Sequence, residues 1–595
     1  MADYKNFPQF FQYITNLYKD DPVIHWRSEK NKNQYDSISG NKLEELVYNV
    51  SRKIEKFNLK PGDRAAIISE TRFEWVIADF ACIANQIVTV PVYSTMTASQ
   101  IKFILEHSES KLCFVSTKNI CDKVLSVTGG LTNLQKIIMF NKIETDSDRV
   151  SYFGDFINTE NSVYNKPDAK QYFSLSSLKS NEDDILTIIY TSGTTGDPKG
   201  VCLTHKNILS NVRQCDDSFK IITHEDTFLS VLPLCHVYER TAGYYYPLSV
   251  GAKIYYAQSI DTLQTQMTET RPTIILCVPL LLTRMHSRFT KAVDAMKGMK
   301  KFISVKALSI GKKYRENKNH FLWKLADRKV FRKFREKTGG KIRFFISGGS
   351  ALNRDTAEFF DAIGLNILQG YGMTEASPVL SVNRPDKNKI GTVGVPLERV
   401  KIKIAEDGEI LATGDNKMSG YYKNDAETLE SIIDGWLHTG DIGEIDNEGF
   451  LRITDRKKTL IKTAGGKYIS LTHIEDIAGE SDYISQVIAF ASDERQFVSA
   501  LVVPDFAELR KFAISQNIPF SSDEELIKNE KIFDFMESEI NLKQKDLAKY
   551  ERIRKFALLP SPFTIESGEM TPTLKLKRKV IENKYKALID NFYTR

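Results

Sequence analysis

Apolar residues along this chain gather into short blocks separated by polar turns. Residues 64–69 (RAAIIS), 87–92 (IVTVPV) and 111–116 (KLCFVS) are runs of strand length, whereas 73–85 and 97–108 are longer and helical in character. Short apolar runs alternating with helices predict parallel α/β layers. The same rhythm returns at 184–190, 253–257, 274–278 and 343–346, each run followed by a turn or a helix. No segment recurs at a fixed period, which disfavours a solenoid. From about residue 393 the texture changes to shorter strands broken by Gly, Asp and Asn; Asp407-Gly408 and Glu448-Gly449 read as hairpin turns. Beyond Asp455 a basic polar stretch leads into a smaller α+β segment. The predicted organisation is α/β: a large N-terminal domain, 1–456, of layered α/β sub-lobes plus a β-rich sub-lobe, then a small α+β C-terminal domain, 457–595.

The length, 595 residues, supports more than one core. With 42% hydrophobic and 27% charged residues, the composition excludes a mostly disordered chain. The seven cysteines are odd in number, lack any Cys-x-x-Cys spacing and all lie in the first half. They read as reduced thiols of a cytosolic protein, with no zinc site. The N-terminus lacks a signal-peptide pattern, and no window holds 18 consecutive apolar residues. Membrane contact, where it occurs, is then peripheral.

Net charge, +6, changes the picture only locally. Residues 284–343 hold about 20 Lys and Arg against about 4 Asp and Glu. Within them Phe302, Val305, Leu308 and then Phe321, Leu322, Leu325 recur at helical spacing. A basic amphipathic helix suits an anionic membrane surface; a solvated insertion packing its stripe on its own protein is the other reading. No nucleic-acid motif accompanies the charge, and no nucleic-acid partner is expected.

The candidate chemistry starts at 190–200, YTSGTTGDPKG, directly after an apolar strand. Glycines let backbone N–H groups approach an oligophosphate, hydroxyls add donors, and Lys199 adds a point charge. It is not a Walker A loop, because Lys199 stands between Pro198 and Gly200. The string resembles the phosphate-binding signature of the adenylate-forming superfamily, which includes acyl-CoA synthetases, peptide-synthetase adenylation domains and firefly luciferase. Further signatures follow in order: SGGSA at 347–351, QGYGMTE at 369–375, GWLHTGD at 435–441, DRKKTLIKTAGG at 455–466 and TPTLKLKRK at 571–579.

The resemblance implies an ATP/AMP site made by Thr191, Ser192, Gly193, Thr194, Thr195, Gly196 and Lys199, by Gly348, Gly349 and Ser350, and by Gln369, Gly370, Tyr371, Gly372 and Thr374. Asp441, Ile453 and Arg456 complete it. Tyr371 is expected to stack on adenine, Thr374 to touch the α-phosphate, and Asp441 to accept from the ribose hydroxyls. Glu375 and Thr194 are the expected Mg²⁺ ligands. Lys458 takes the pivot position of a mobile C-terminal domain, and Gly465 and Gly466 line the coenzyme A path. The C-terminal motif puts the adenylating lysine at Lys575; Lys577 and Lys579 would share its face on an extended strand, so geometry alone does not choose. VLPLCHVY at 231–238, followed by Glu239-Arg240, resembles the acid-pocket motif of long-chain fatty acyl-CoA synthetases and puts His236 near the carboxylate. Lys575, Lys199, His236, Thr194 and Glu375 are thus the expected catalytic set. The implied reaction uses ATP, Mg²⁺ and coenzyme A to convert a long-chain fatty acid to its thioester through an acyl adenylate. Another acid or an acyl carrier acceptor, a luciferase-like oxygenase, and a non-catalytic lipid-binding scaffold are the alternatives.

Overall fold

The computed structural model describes the chain except residues 1–3, 32–33, 146, 158–163, 192–197, 458–459, 463–467, 493–494, 572–574 and 595, and except the side chains of Leu460, Lys462 and Tyr468. Two large sheets dominate the described residues. In one, the strands Ile185–Thr191, Val88–Val92, Arg64–Ile68, Leu112–Val115, Lys136–Met139 and Val150–Tyr152 run parallel, with Lys199–Thr204 and Gly420–Tyr421 antiparallel at one edge. In the other, Asn366–Gly372, Phe344–Ser347, Ile274–Cys277, Thr227–Ser230, Lys253–Tyr256 and Pro22–Arg27 run parallel, with antiparallel strands at both edges. The central runs are apolar throughout because both faces are covered: every residue of Leu112–Val115 and Ile274–Cys277 is buried.

A buried ion pair fastens the two sheets together. Arg240, fully buried at the start of the helical segment Glu239–Tyr245, pairs with Asp79 on the helix Phe73–Ala84. The nitrogen facing Asp79, Nη2, also donates to Thr89 Oγ1 (2.9 Å), while Nη1 donates to Thr187 Oγ1 (2.8 Å) and Nε to the Tyr245 hydroxyl (2.9 Å). Thr89 and Thr187 belong to strands of the first sheet, whereas Arg240 follows the Thr227–Ser230 strand of the second. Removing one member of such a pair strands a charge in the interior and costs about 3–5 kcal/mol.

The β-rich segment forms a third sheet from Lys401–Ile404, Glu409–Thr413, Ile432–Ile433, Trp436–Ile445 and Leu451–Arg456. The turns at Asp407-Gly408 and Glu448-Gly449 close its hairpins as expected, with both glycines at positive φ. After residue 460 come the ribbon Leu460–Lys462/Tyr468–Ser470 and the three-stranded sheet Ile484–Phe490, Val498–Pro504 and Ile553–Leu558. Its two faces feed separate apolar clusters in strict alternation: Ala500 and Val502 on one side, Leu501 and Val503 on the other.

The basic stretch folds into the helices Pro279–Asp294, Gly298–Lys313, Phe321–Ala326 and Arg332–Glu336, joined by the π-helical turn Asp327–Phe331. Its apolar stripe divides. Leu308 packs on the core with Ala307, while Phe302 (62% exposed), Val305, Phe321 (70%) and Leu325 face solvent. No helix among the described residues is long and apolar enough to cross a membrane.

Candidate active site

Parallel strands bring the first signatures together by register alone. Cys277 pairs with Ser347 and Ser347 with Gln369, so the segments leaving these strands emerge at one edge of the sheet. Ligands of open α/β sheets bind beyond these carboxyl ends. The segment carrying His236 leaves the same sheet after Ser230, and the Tyr238 hydroxyl donates to Ile346 O (3.0 Å). A Cβ at Gly348 would lie 3.2 Å from the Tyr238 ring, a tight contact that a larger residue would have to relieve by shifting the ring. Gly349 has φ +88°, a conformation that favours glycine, and it is exposed together with Ser350.

Asp441 is the buried acid of this edge. Its Oδ2 accepts from the Tyr371 hydroxyl (2.7 Å) and its Oδ1 from Arg456 Nε (2.9 Å). Asp441 and Arg456 are ladder partners on adjacent strands, so the pairing follows from the hairpin at 446–449. Ile453, half-buried on the same strand as Arg456 but on its opposite side, packs against the apolar cluster that includes Tyr371. Gln369 and Gly370 continue the strand that carries Tyr371 and Gly372, and Asn383 N–H donates to the Gln369 carbonyl (2.9 Å).

Thr374 and Glu375 sit on the short turn after this strand. Glu375 Oε1 accepts from the Tyr421 hydroxyl (2.9 Å). Burial raises the Glu375 carboxyl above its ordinary range, against the pull of Tyr421, Arg456 and Lys199. Thr191 and Lys199 pair across the hairpin whose loop holds Ser192, Gly193, Thr194, Thr195 and Gly196; those five lie outside the described residues. Lys199 is ion-paired with Glu427 and stands 5.6 Å from the Tyr421 ring centre. Tyr421 and Glu427 were not anticipated: their strand has two residues and their helix seven, too short for a periodic signal.

Lys575 comes to this cluster from the other end of the chain. Desolvation lowers its pKa, Arg456 adds to the lowering, and Asp441 opposes it, so the ammonium lies within electrostatic reach of that pair although the residue as a whole is exposed. The expectation that Lys575, Lys577 and Lys579 share one face of a strand is corrected. Lys577 is the residue before the helix Arg578–Lys584 and Lys579 lies within it, while Lys575 is anchored by its N–H to Thr571 Oγ1 (3.0 Å). Lys458, Gly465 and Gly466 lie outside the described residues.

His236 lies within electrostatic reach of Lys575. Desolvation first and Lys575 second lower its pKa to about 4. Its Nδ1 accepts from Tyr238 N–H (3.2 Å), which assigns the proton of the neutral ring to Nε2. The ring is thus a neutral donor. Glu239 and Arg240 of the same motif turn inward: Glu239 accepts from Ser230 (2.5 Å) and burial raises its pKa to about 8, while Arg240 makes the inter-sheet pair.

Residues 11–422 match the AMP-binding enzyme family. The chain is 33% identical over 557 residues to the long-chain-fatty-acid–CoA ligase FadD15 of Mycobacterium bovis, covering 90% of this chain and 89% of that one. It is 30% identical over 610 residues to long chain acyl-CoA synthetase 4 of Arabidopsis thaliana, covering 98% and 91%. Among solved structures, the anthranilate CoA ligase AuaEII in complex with anthranoyl-AMP superposes with TM-score 0.75 at 16% identity, over 99% of each chain, which shows a shared fold. The chain belongs to the AMP-binding enzyme family. Within it, the similarity over nearly the whole length places the chain with the long-chain acyl-CoA ligases.

Because the His236 imidazole is held neutral, it is expected to titrate near pH 4 in an NMR titration of the free protein. Its depressed pKa means that the unfolded chain binds the extra proton first, so this residue's contribution to stability falls as pH drops from about 6.5 toward 4. A rate limb near pH 6.5 that disappears in His236→Gln would contradict this assignment.

Proposed function

We propose that this protein joins a long-chain fatty acid to coenzyme A in two steps. A carboxylate oxygen attacks the α-phosphorus of ATP; the new O–P bond forms as the bond to the β-phosphate oxygen breaks, and pyrophosphate leaves. The thiolate of coenzyme A then attacks the acyl carbon, the C–O bond to AMP breaks, and AMP leaves with the thiol proton released to solvent. The observation that carries this reading is the convergence of Tyr371, Asp441, Arg456, Lys575 and His236, drawn from both ends of the chain.

In this reading Tyr371 and the 348–350 loop hold adenine, and Asp441 exchanges its present donors for the ribose hydroxyls. Lys575 and Lys199 shield the two anions that must meet, each such preorganised contact lowering the barrier by about 3–4 kcal/mol. The His236 Nε2–H orients the acid. A hard oxygen donor suits Mg²⁺, which needs only one or two carboxylates beside bound phosphates. The Glu375 carboxylate, held by Tyr421, fits that need, with Thr194 as its companion. The ion would shield phosphate charge.

The chain divides into 1–456 and 457–595, with a hinge at Lys458. Lys575, having served adenylation, occupies the space the thiol requires, so the C-terminal unit swings away and the segment with Gly465 and Gly466 lines the pantetheine path. Similarity to ligases named for long-chain acids supports a fatty substrate. An apolar tunnel gains about 0.8 kcal/mol per buried methylene, roughly fourfold in affinity.

Pyrophosphate release across acids of graded length is expected to rise with chain length and to leave benzoate inert. Lys575→Ala is expected to lose about 10²- to 10³-fold in adenylation, yet to make thioester from preformed acyl adenylate. Equal loss of both half-reactions would count against the swing.

We propose further that the basic helices rest on an anionic bilayer. The helix Gly298–Lys313 buries Ser304, Ala307 and Gly311 and turns Met299, Phe302 and Val305 outward among Lys306, Lys312 and Lys313. The next helix turns out Phe321 and Leu325 beside Lys324, Arg328 and Lys329. Apolar side chains interleaved with cations match a headgroup boundary, and each phenylalanine inserted gains about 1.5–3 kcal/mol. Phe302→Asp with Phe321→Asp is expected to abolish co-sedimentation with phosphatidylserine vesicles while turnover of a soluble medium-chain acid stays near wild type. Undiminished sedimentation would overturn the surface.

A further inference from the structure

Among the described residues, and besides the Lys575 cluster, two polar contacts connect the chain before residue 456 with the chain after 469. Asn353 Nδ2 donates to Glu480 Oε1 (2.6 Å), and Lys291 Nζ pairs with Glu508 Oε1 (2.8 Å). They stand on different elements. Asn353 follows the 347–351 loop and caps the helix Arg354–Ala362, while Glu480 lies two residues past the helix Leu471–Ala478. Lys291 belongs to the helix Pro279–Asp294, and Glu508 to the first turn of Phe506–Ser515.

We infer that the Asn353–Glu480 and Lys291–Glu508 contacts position the C-terminal unit for adenylation, holding Lys575 within reach of the Asp441–Arg456 pair. The inference rests on the two-arrangement reading above. None of the four residues belongs to the cluster around Asp441; they act through the placement of Lys575. One contact leaves a body free to swing about it, whereas attachments on separate elements restrict its orientation.

Both contacts are built to break. Lys291 is 55% exposed and Glu508 23%, and Glu508 keeps a second partner in Lys511 (3.1 Å) of its own helix when Lys291 departs. Exposed pairs of this kind shift an equilibrium by no more than about fivefold. That is enough to bias two arrangements of similar stability and too little to trap one. Asp482 and Asp505 add to the attraction on Lys291, so this side of the C-terminal unit carries a field complementary to the basic helices.

Asn353 makes the test clean, because its two ends do different work. Its Oδ1 accepts Thr356 N–H (3.1 Å) as the helix cap, and its Nδ2 reaches Glu480. Asn353→Asp keeps the cap, since aspartate is an equally good N-cap, and turns the cross-unit donor into a repelling carboxylate. Asn353→Asp and Lys291→Glu are each expected to slow adenylation, read as ATP–pyrophosphate exchange, by roughly three- to tenfold. Thioester formation from a preformed acyl adenylate should stay equal or rise. Adding Glu480→Gln to Asn353→Asp, or Glu508→Lys to Lys291→Glu, restores a pairing of reversed polarity and is expected to recover exchange. Equal slowing of both half-reactions, or failure of both second-site changes to restore exchange, overturns the inference. Lys575→Ala, run alongside, separates the causes. If it too slows both half-reactions equally, the two-arrangement reading itself falls; if it spares the second, only the role of these contacts does.

Discussion

One buried carboxylate connects the three parts of the molecule. Asp441 sits on the β-rich sheet, accepts from Tyr371 of the large parallel sheet and from Arg456 at the last strand before the C-terminal segment, and lies within the field of Lys575. A buried acid needs donors, and here each donor comes from a different strand. The requirement fixes the edge of the large sheet to the β-rich sheet, whose adjacent strands carry Asp441 and Arg456. Each remaining candidate group then reaches the same cleft by a short connection: Glu375 four residues beyond Tyr371, Lys199 through Tyr421, and His236 through Tyr238 and the Ile346 carbonyl.

The charges around this cleft are arranged for anions without being spent on each other entirely. Lys199 rests on Glu427, Arg456 on Asp441, and Lys575 has its ammonium disfavoured by desolvation and by Arg456. Cations held in partial desolvation are stabilised when a phosphate arrives, since its charge strengthens in a site of lower dielectric. Neutral His236 belongs to the same economy, because a third or fourth positive charge here would repel Lys575.

Much of the fold was legible because fully buried strands are written as unbroken apolar runs. The runs at 64–69, 87–92, 111–116 and 274–278 all fall on parallel strands, and the two Gly-containing turns close hairpins of the third sheet. Pairings across long separations were not legible. Asp79 and Arg240 lie 161 residues apart, and Lys199 and Glu427 lie 228 apart, so no local pattern announces them. Arg240 was read within an acid-pocket motif, yet its side chain holds the sheets together. The C-terminal motif had singled out Lys575, but the backbone around it was misjudged: a helix begins at Arg578 where an extended strand was expected. Thr194, Lys458, Gly465 and Gly466, named from the same motifs, lie outside the described residues.

The most direct measurement is a crystal structure with a non-hydrolysable mimic of the acyl adenylate. The account predicts adenine between the 348–350 loop and Tyr371, both ribose hydroxyls on Asp441, and the Lys575 ammonium within about 3 Å of an oxygen of the adenylate linkage. A mimic bound elsewhere, or one lying in the cleft with Asp441 and Lys575 turned away from it, would contradict the account.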